Sequence, residues 1–170
     1  SSTSRGLGDV YKRQSYDLTN NGILIVSGMA RGIDSAAHKG AMYALRQKGP
    51  PLAVLGTGVD IVYPQENKNL YAQICEQGAV VSEFPLGTEP QAQNFPRRNR
   101  IISALSQGTL IVEATTHSGS LTTARLALEQ GKDIFAVPGS PQDARAQGPN
   151  KLIKEGAILA ESAADILECF

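Results

Sequence analysis

Residues 22–49, GILIVSGMARGIDSAAHKGAMYALRQKG, carry two periodicities back to back. Ile23 to Val26 run without a polar break, the pattern of a short strand covered on both faces. Gly28 and Gly32 then punctuate a turn. From there apolar residues recur at helical spacing (Ile33, Ala36, Ala37, Ala41, Ala44 and Leu45), with Gly49 as the stop. A strand that feeds a helix through a Gly-rich turn is the first half of a crossover unit, which needs a parallel strand to return to.

The rest of the chain repeats that rhythm. PLAVLG is a second strand, and YPQENKNLYAQICEQG a helix entered through Pro64 and closed by Gly78. AVVSEF is a third strand, followed by the long loop PLGTEPQAQN and the helix NFPRRNRIISAL. The strand TLIVEA (Thr109 to Ala114) leads to the helix SGSLTTARLALEQG, with Leu121, Ala124 and Leu128 inward and Gly131 as the stop. DIFAVPG is a fifth strand; a polar loop, a short helical NKLIKEG, a strand AILA and a closing helix SAADILECF follow. The expected class is α/β, a doubly wound, mostly parallel sheet. Ser1 to Gln14 show neither alternation nor a helical apolar stripe, and read like translated sequencing-adapter DNA. Residues 1–14 are therefore set outside the fold, leaving one expected domain over residues 15–170.

A chain of 170 residues, 41% hydrophobic and 19% charged, suits one domain built on Ile, Leu, Val and Ala, with no Trp. Net charge is zero, so anion binding must come from local clustering rather than an overall field. Cys75 and Cys169 lack metal-ligand spacing and read as reduced thiols; neither they nor His38 and His117 suggest a metal. No apolar run reaches the ~20 residues of a membrane span.

Ligands of open α/β sheets bind beyond the carboxyl ends of the strands, where helix N-termini converge. Ser27–Gly32, the GTGVD loop at Gly56–Asp60, the THSGS turn and PGS all fall at such ends. Gly56 and Gly58 make only half a dinucleotide fingerprint, and no phosphate-binding GxxxxGK[ST] loop occurs. Arg97, Arg98 and Arg100 open a helix whose positive end repels cations. They pair with acids such as Glu83, Glu89 or Glu113, or they await a chain of phosphates; no acid lies between Gln91 and Gln107. Arg31 adds a further guanidinium, and Phe95 and Tyr63 offer rings for bases or for packing. Asp34 and Asp60 either act as general acids and bases or brace Gly-rich loops. His117 beside Ser118 and Ser120 does not amount to a nucleophile–base pair.

SGMARGIDSAAHKGA, AVLGTGVDIVYPQENKNLY, SEFPLGTEP, FPRRNRIISALS, VEATTHSGSLTTARLALEQGKDIFAVPGS and GPNKLIKEGA, in that order from Asn21 to Leu167, closely resemble the DNA-processing protein A family, also called Smf. The resemblance implies an extended Rossmann-like fold and a bacterial cytoplasmic protein that binds single-stranded DNA in a basic pocket. It implies dimerisation, loading of RecA recombinase during natural transformation, and no turnover, cofactor, metal or membrane. Its pocket motifs fall on Ser27, Gly28, Ala30 and Arg31, and on Arg97, Arg98, Asn99 and Arg100; Ser118, Gly119, Ser120 and Lys132 are added positions. Family members begin with a strand like VAIVGSR and a helix before the place of Gly22. Here that strand and most of that helix are expected to be missing, as are the flanking helical and winged-helix segments. The competing reading is a nucleotide phosphoribohydrolase of the lysine-decarboxylase-like group, whose PGGxGT loop is PGSPQDA here.

Overall fold

The computed structural model describes residues 2–44 and 49–170; Ser1, at the head of the expected leader, and Leu45, expected on an apolar helix face, lie outside them. The chain divides into two compact units, Ser1–Arg98 and Asn99–Phe170. Among the described residues six strands form two three-stranded sheets, both wholly parallel, in keeping with the expected parallel α/β class. Helix α1 (Ser2–Asn20) precedes β1 (Val26–Ser27), and α2 (Ile33–Ala44) crosses over to β2 (Leu52–Val54). A 3-10 turn (Gln65–Asn67) and α3 (Lys68–Gln77) then lead to β3 (Ala79–Val81). Val26 pairs with Leu52, and Leu52 with Ala79. Met29, Ala53, Leu55, Leu70 and Ile74 close into the first core, because the central strand β2 is apolar throughout and α3 turns Leu70 and Ile74 inward.

The expected leader is helix. α1 runs through the boundary drawn at Gln14, and it fills the place where most of a helix was expected to be missing. Tyr11, Gln14, Ser15, Leu18 and Thr19 are buried at spacings of one helical face. Polar residues make up much of that face, so an apolar count passes over it. What brings α1 close is Gly40 of α2: a Cβ there would strike the Lys12 carbonyl and the Ser15 side chain. The Ser15 hydroxyl donates to the Ala37 carbonyl at 2.5 Å across the same contact.

Helix α4 (Asn94–Leu105) contains the division between the units. Beyond it come β4 (Gly108–Ile111), α5 (Gly119–Glu129), β5 (Asp133–Ala136), α6 (Ala144–Lys154), β6 (Ile158–Leu159) and α7 (Ala163–Leu167). Ile111, Leu121, Ala124, Ile134 and Leu152 form the second core. α6 begins at Ala144, well ahead of the expected NKLIKEG segment, because Asp143 caps it by accepting from the Arg145 N–H. Pro149 stands inside this helix and lacks the N–H that would bond the Arg145 carbonyl. Ala114 supplies that donor instead at 2.8 Å, and its own carbonyl accepts from Gly148 at 2.9 Å. The proline thus trades a helix bond for a bond to the chain just past β4.

Candidate functional site

The loop after β1 is held from within. Met29 takes a left-handed conformation at φ 62° and Gly32 at φ 80°, which curls the backbone so that successive N–H groups face one point. Asp34 occupies that point: its Oδ2 accepts from Gly28 at 3.0 Å and from Ala30 at 3.3 Å. These are the donors that the sequence offered to an outside anion, so Asp34 is a brace and the loop's own N–H groups are committed. Ser35 donates to the Ala30 carbonyl. Buried Asn67 donates to the Met29 carbonyl and the Ser35 hydroxyl, both at 2.8 Å. Nothing in the sequence singled out Asn67; Asn at a helix start usually caps, but this amide is used across the loops. Asp60 braces in the same manner, accepting from the Gly87 N–H on both oxygens at 2.9 Å.

The arginines of α4 do different things. At about 100° per residue, Arg97 and Arg100 project within about 60° of each other, while Arg98 turns inward. Arg98 is only 4% exposed. Its Nη1 donates to the Gly28 carbonyl at 2.6 Å and to the Val54 carbonyl at 2.7 Å, joining the ends of β1 and β2. A Cβ on Gly28 would collide with this guanidinium. Burial lowers the Arg98 pKa and the Asp34 charge counters it, so the cation is held by carbonyl dipoles and one nearby carboxylate. The helix start therefore escapes much of the expected repulsion, because one of its guanidiniums points into the strand ends. Arg97 is exposed and lies 5.4 Å from the centre of the Phe84 ring.

Rings and guanidiniums line up beside it. Phe95 lies on Gly56, where a Cβ would meet its ring at 2.8 Å. Tyr63 stacks on Phe95 with centroids 5.6 Å apart and planes 29° from parallel. Arg31 stands 5.7 Å from the Tyr63 centroid, and Arg98 5.6 Å from that of Phe95. Arg31 also pairs with Glu66, Nε to Oε1 at 2.5 Å and Nη2 to Oε2 at 3.2 Å. Hydrogen bonding to Arg31 holds the Glu66 carboxyl below its usual range and raises the Arg31 pKa in return. Ser27, Gly28, Ala30, Arg31, Arg97 and Arg98 all belong to the first unit, with Ser27 at the end of β1.

The other expected positions lie in the second unit. Arg100 is exposed and Asn99 half-buried. Ser118 caps α5 by accepting from the Ser120 N–H at 3.2 Å, with Gly119 exposed between them. Lys132 donates to the Ser103 and Ala104 carbonyls, the latter at 2.8 Å. Its ammonium therefore closes the C-terminal end of α4, where a cation is favoured, and is not set out toward a ligand. Among the described residues no group of His, Cys, Asp or Glu side chains is placed to hold a metal ion. Cys75 and Cys169 are free and exposed. No helix of the described residues is long and apolar enough to cross a membrane.

Behind the loop sits His38, with no exposed surface and neither ring nitrogen in a hydrogen bond of good geometry. Burial lowers its pKa to about 4, and the Arg98 charge acts in the same direction; Asp34 and the Ser27 backbone oppose them.

Residues 2–170 match the family profile described as DNA recombination-mediator protein A. Protein Smf of Escherichia coli is 53% identical over 152 residues, which cover 89% of this chain and 40% of that one. The crystal structure of DNA processing protein A from Streptococcus pneumoniae superposes with a TM-score of 0.83 at 40% identity, over 98% of this chain and 56% of that one. The Helicobacter pylori protein of the same name, described for its mode of single-stranded DNA binding, gives 0.84 at 28% identity, over 96% and 73%. The parallel α/β architecture is thus Rossmann-like, and the chain spans well under two thirds of its curated relatives' length.

Proposed function

Since the chain belongs to the DNA recombination-mediator protein A family, we propose that its first unit binds single-stranded DNA and that the whole protein processes incoming DNA. The observation that carries this reading is a set of cation–ring contacts: exposed Arg31 by exposed Tyr63, which stacks on half-buried Phe95, and exposed Arg97 by half-buried Phe84. Guanidiniums neutralise phosphates, and ring faces take bases of any sequence once these are unstacked. A duplex keeps its bases paired inside and cannot use the rings. Arg31 and Arg97 of the first unit are assigned to phosphates, and Asn99 and Arg100 of the second unit are proposed as contacts of their own. Arg98 and Gly28 shape the pocket, and Ser27 and Ala30 belong to the loop that positions Arg31. Lys132 and the Ser118–Ser120 turn are left out of the contact surface, since each serves a helix end.

The finer reading follows the family: a cytoplasmic bacterial protein that acts as a homodimer, performs no turnover, and hands single-stranded DNA to RecA recombinase. The description of the matched family as a recombination mediator supports the recombination part of this reading.

The test is a titration of poly-dT, duplex DNA and a thymidine mononucleotide at two salt concentrations. Poly-dT is expected to bind tightest, with affinity falling steeply as salt rises. Arg31→Ala and Arg97→Ala should each weaken binding, and Arg97→Ala, whose charge faces solvent, should flatten the salt slope by roughly 0.7, one phosphate contact to a single strand. Equal affinity for mononucleotide and poly-dT, or a slope untouched by Arg97→Ala, would refute the assignment.

A further inference from the structure

Resting on that reading, we propose that Glu66 is a built-in competitor for the Arg31 fork, a carboxylate that the backbone phosphate must displace. Three features make the pair more than a chance surface contact. It is a two-point contact, with Nε and Nη2 each facing one carboxylate oxygen. Both loops are positioned by the same neighbour: Asn67, next to Glu66, bonds the carbonyl of Met29, two residues before Arg31. And Tyr63, just before the turn that carries Glu66, lies against Arg31, so the guanidinium is presented beside a ring that the DNA reading also uses.

The pair is exposed, 60% for Arg31 and 57% for Glu66, so it is screened by salt and exchanges readily. A two-point carboxylate occupies the same donors that a phosphate would take. The tether keeps that carboxylate at a high local concentration, against which a lone phosphate at low concentration competes poorly. A polynucleotide anchored at Arg97 brings its next phosphate with a tether of its own. Glu66 thus sets a threshold that favours a chain of phosphates over a single one.

The charge balance gives a measurable consequence. With Glu66 ionised the pair is neutral, so a phosphate arriving at Arg31 meets a displaced carboxylate and little net charge is neutralised. Glu66→Gln leaves the turn in place and exposes a full positive charge. Poly-dT affinity of the whole chain should then rise about threefold, the scale of an exposed pair. The salt slope should steepen by roughly 0.7, and the mononucleotide should gain at least as much as poly-dT. In an Arg31→Ala background the same substitution should change nothing beyond the gain from Glu76→Gln, which removes an exposed acid on α3 and matches the charge change.

Unchanged or weaker binding by Glu66→Gln, while the wild-type chain still prefers poly-dT, overturns the Glu66 role and leaves the DNA reading intact. A gain equal to that of Glu76→Gln, or one that persists in Arg31→Ala, does the same. A wild-type chain with no preference for poly-dT removes both.

Discussion

Arg98 and Arg97 are neighbours in the sequence with opposite fates, and that difference is a matter of helix angle. The guanidinium of Arg98 bridges two carbonyls from strand ends, so its loss leaves Gly28 and Val54 with buried, unpartnered acceptors. Arg98→Ala should destabilise the protein by on the order of 3 kcal/mol, seen as a lower urea midpoint. Arg97→Ala, on the surface, should leave the midpoint within about 0.5 kcal/mol of wild type. Equal midpoints for the two variants would contradict the buried role. Phosphate binding was read equally into all three arginines because composition counts charges and does not see which side of the helix they take. Asp34 was open between brace and catalyst for a similar reason: only the coordinates put its oxygen against the Gly28 and Ala30 N–H groups.

Among the elements, α6 departs most from its expected bounds. The stretch from Asp143 to Gly148 is polar and followed by proline, which reads as loop; the cap on Asp143 and the pairing with Ala114 make it helix. That pairing needs the missing side chain of Gly148, since a Cβ would press into the Ala114 carbonyl and its side chain, just past β4. Gly148→Ala should therefore cost about 2 kcal/mol or more despite its better helix propensity, read as a drop in thermal midpoint. A stabilised variant would mean that α6 does not lie against Ala114. The helices α2, α3 and α5 were legible because their apolar spacing and Gly stops agree with their burial. α1 was hidden because its buried face is largely hydroxyl and amide.

For the whole molecule, zero net charge means that pH acts through particular groups rather than through general repulsion. His38 is the clearest of them. Its folded pKa of about 4 lies below the ordinary histidine value of 6.5, so between those values the unfolded chain holds a proton that the folded one refuses. Stability is thus fully present above the unfolded pKa and is lost as pH falls toward the folded one. By about pH 5 the loss should be on the order of 2 kcal/mol. The groups facing His38 are the Asp34 carboxylate, the Arg98 guanidinium and the Ser27 backbone. Urea unfolding followed by circular dichroism should show this decline in the wild type and a flatter profile in His38→Leu. An identical slope in both would assign the acid sensitivity elsewhere.

From β1 onward the order of strands and helices, the parallel class and the Gly-rich turns at strand ends were determined by the sequence alone, because they depend on local periodicity and on residues a few positions apart. Charge content was likewise readable: several arginines, two free thiols, no metal spacing. What only the tertiary structure decided is which of those charges face solvent and which acids reach them. Arg98 meets Gly28, Arg31 meets Glu66 and Lys132 meets Ser103 across long stretches of chain. Such pairings arise from packing between elements, and no local pattern encodes a partner that distant in sequence.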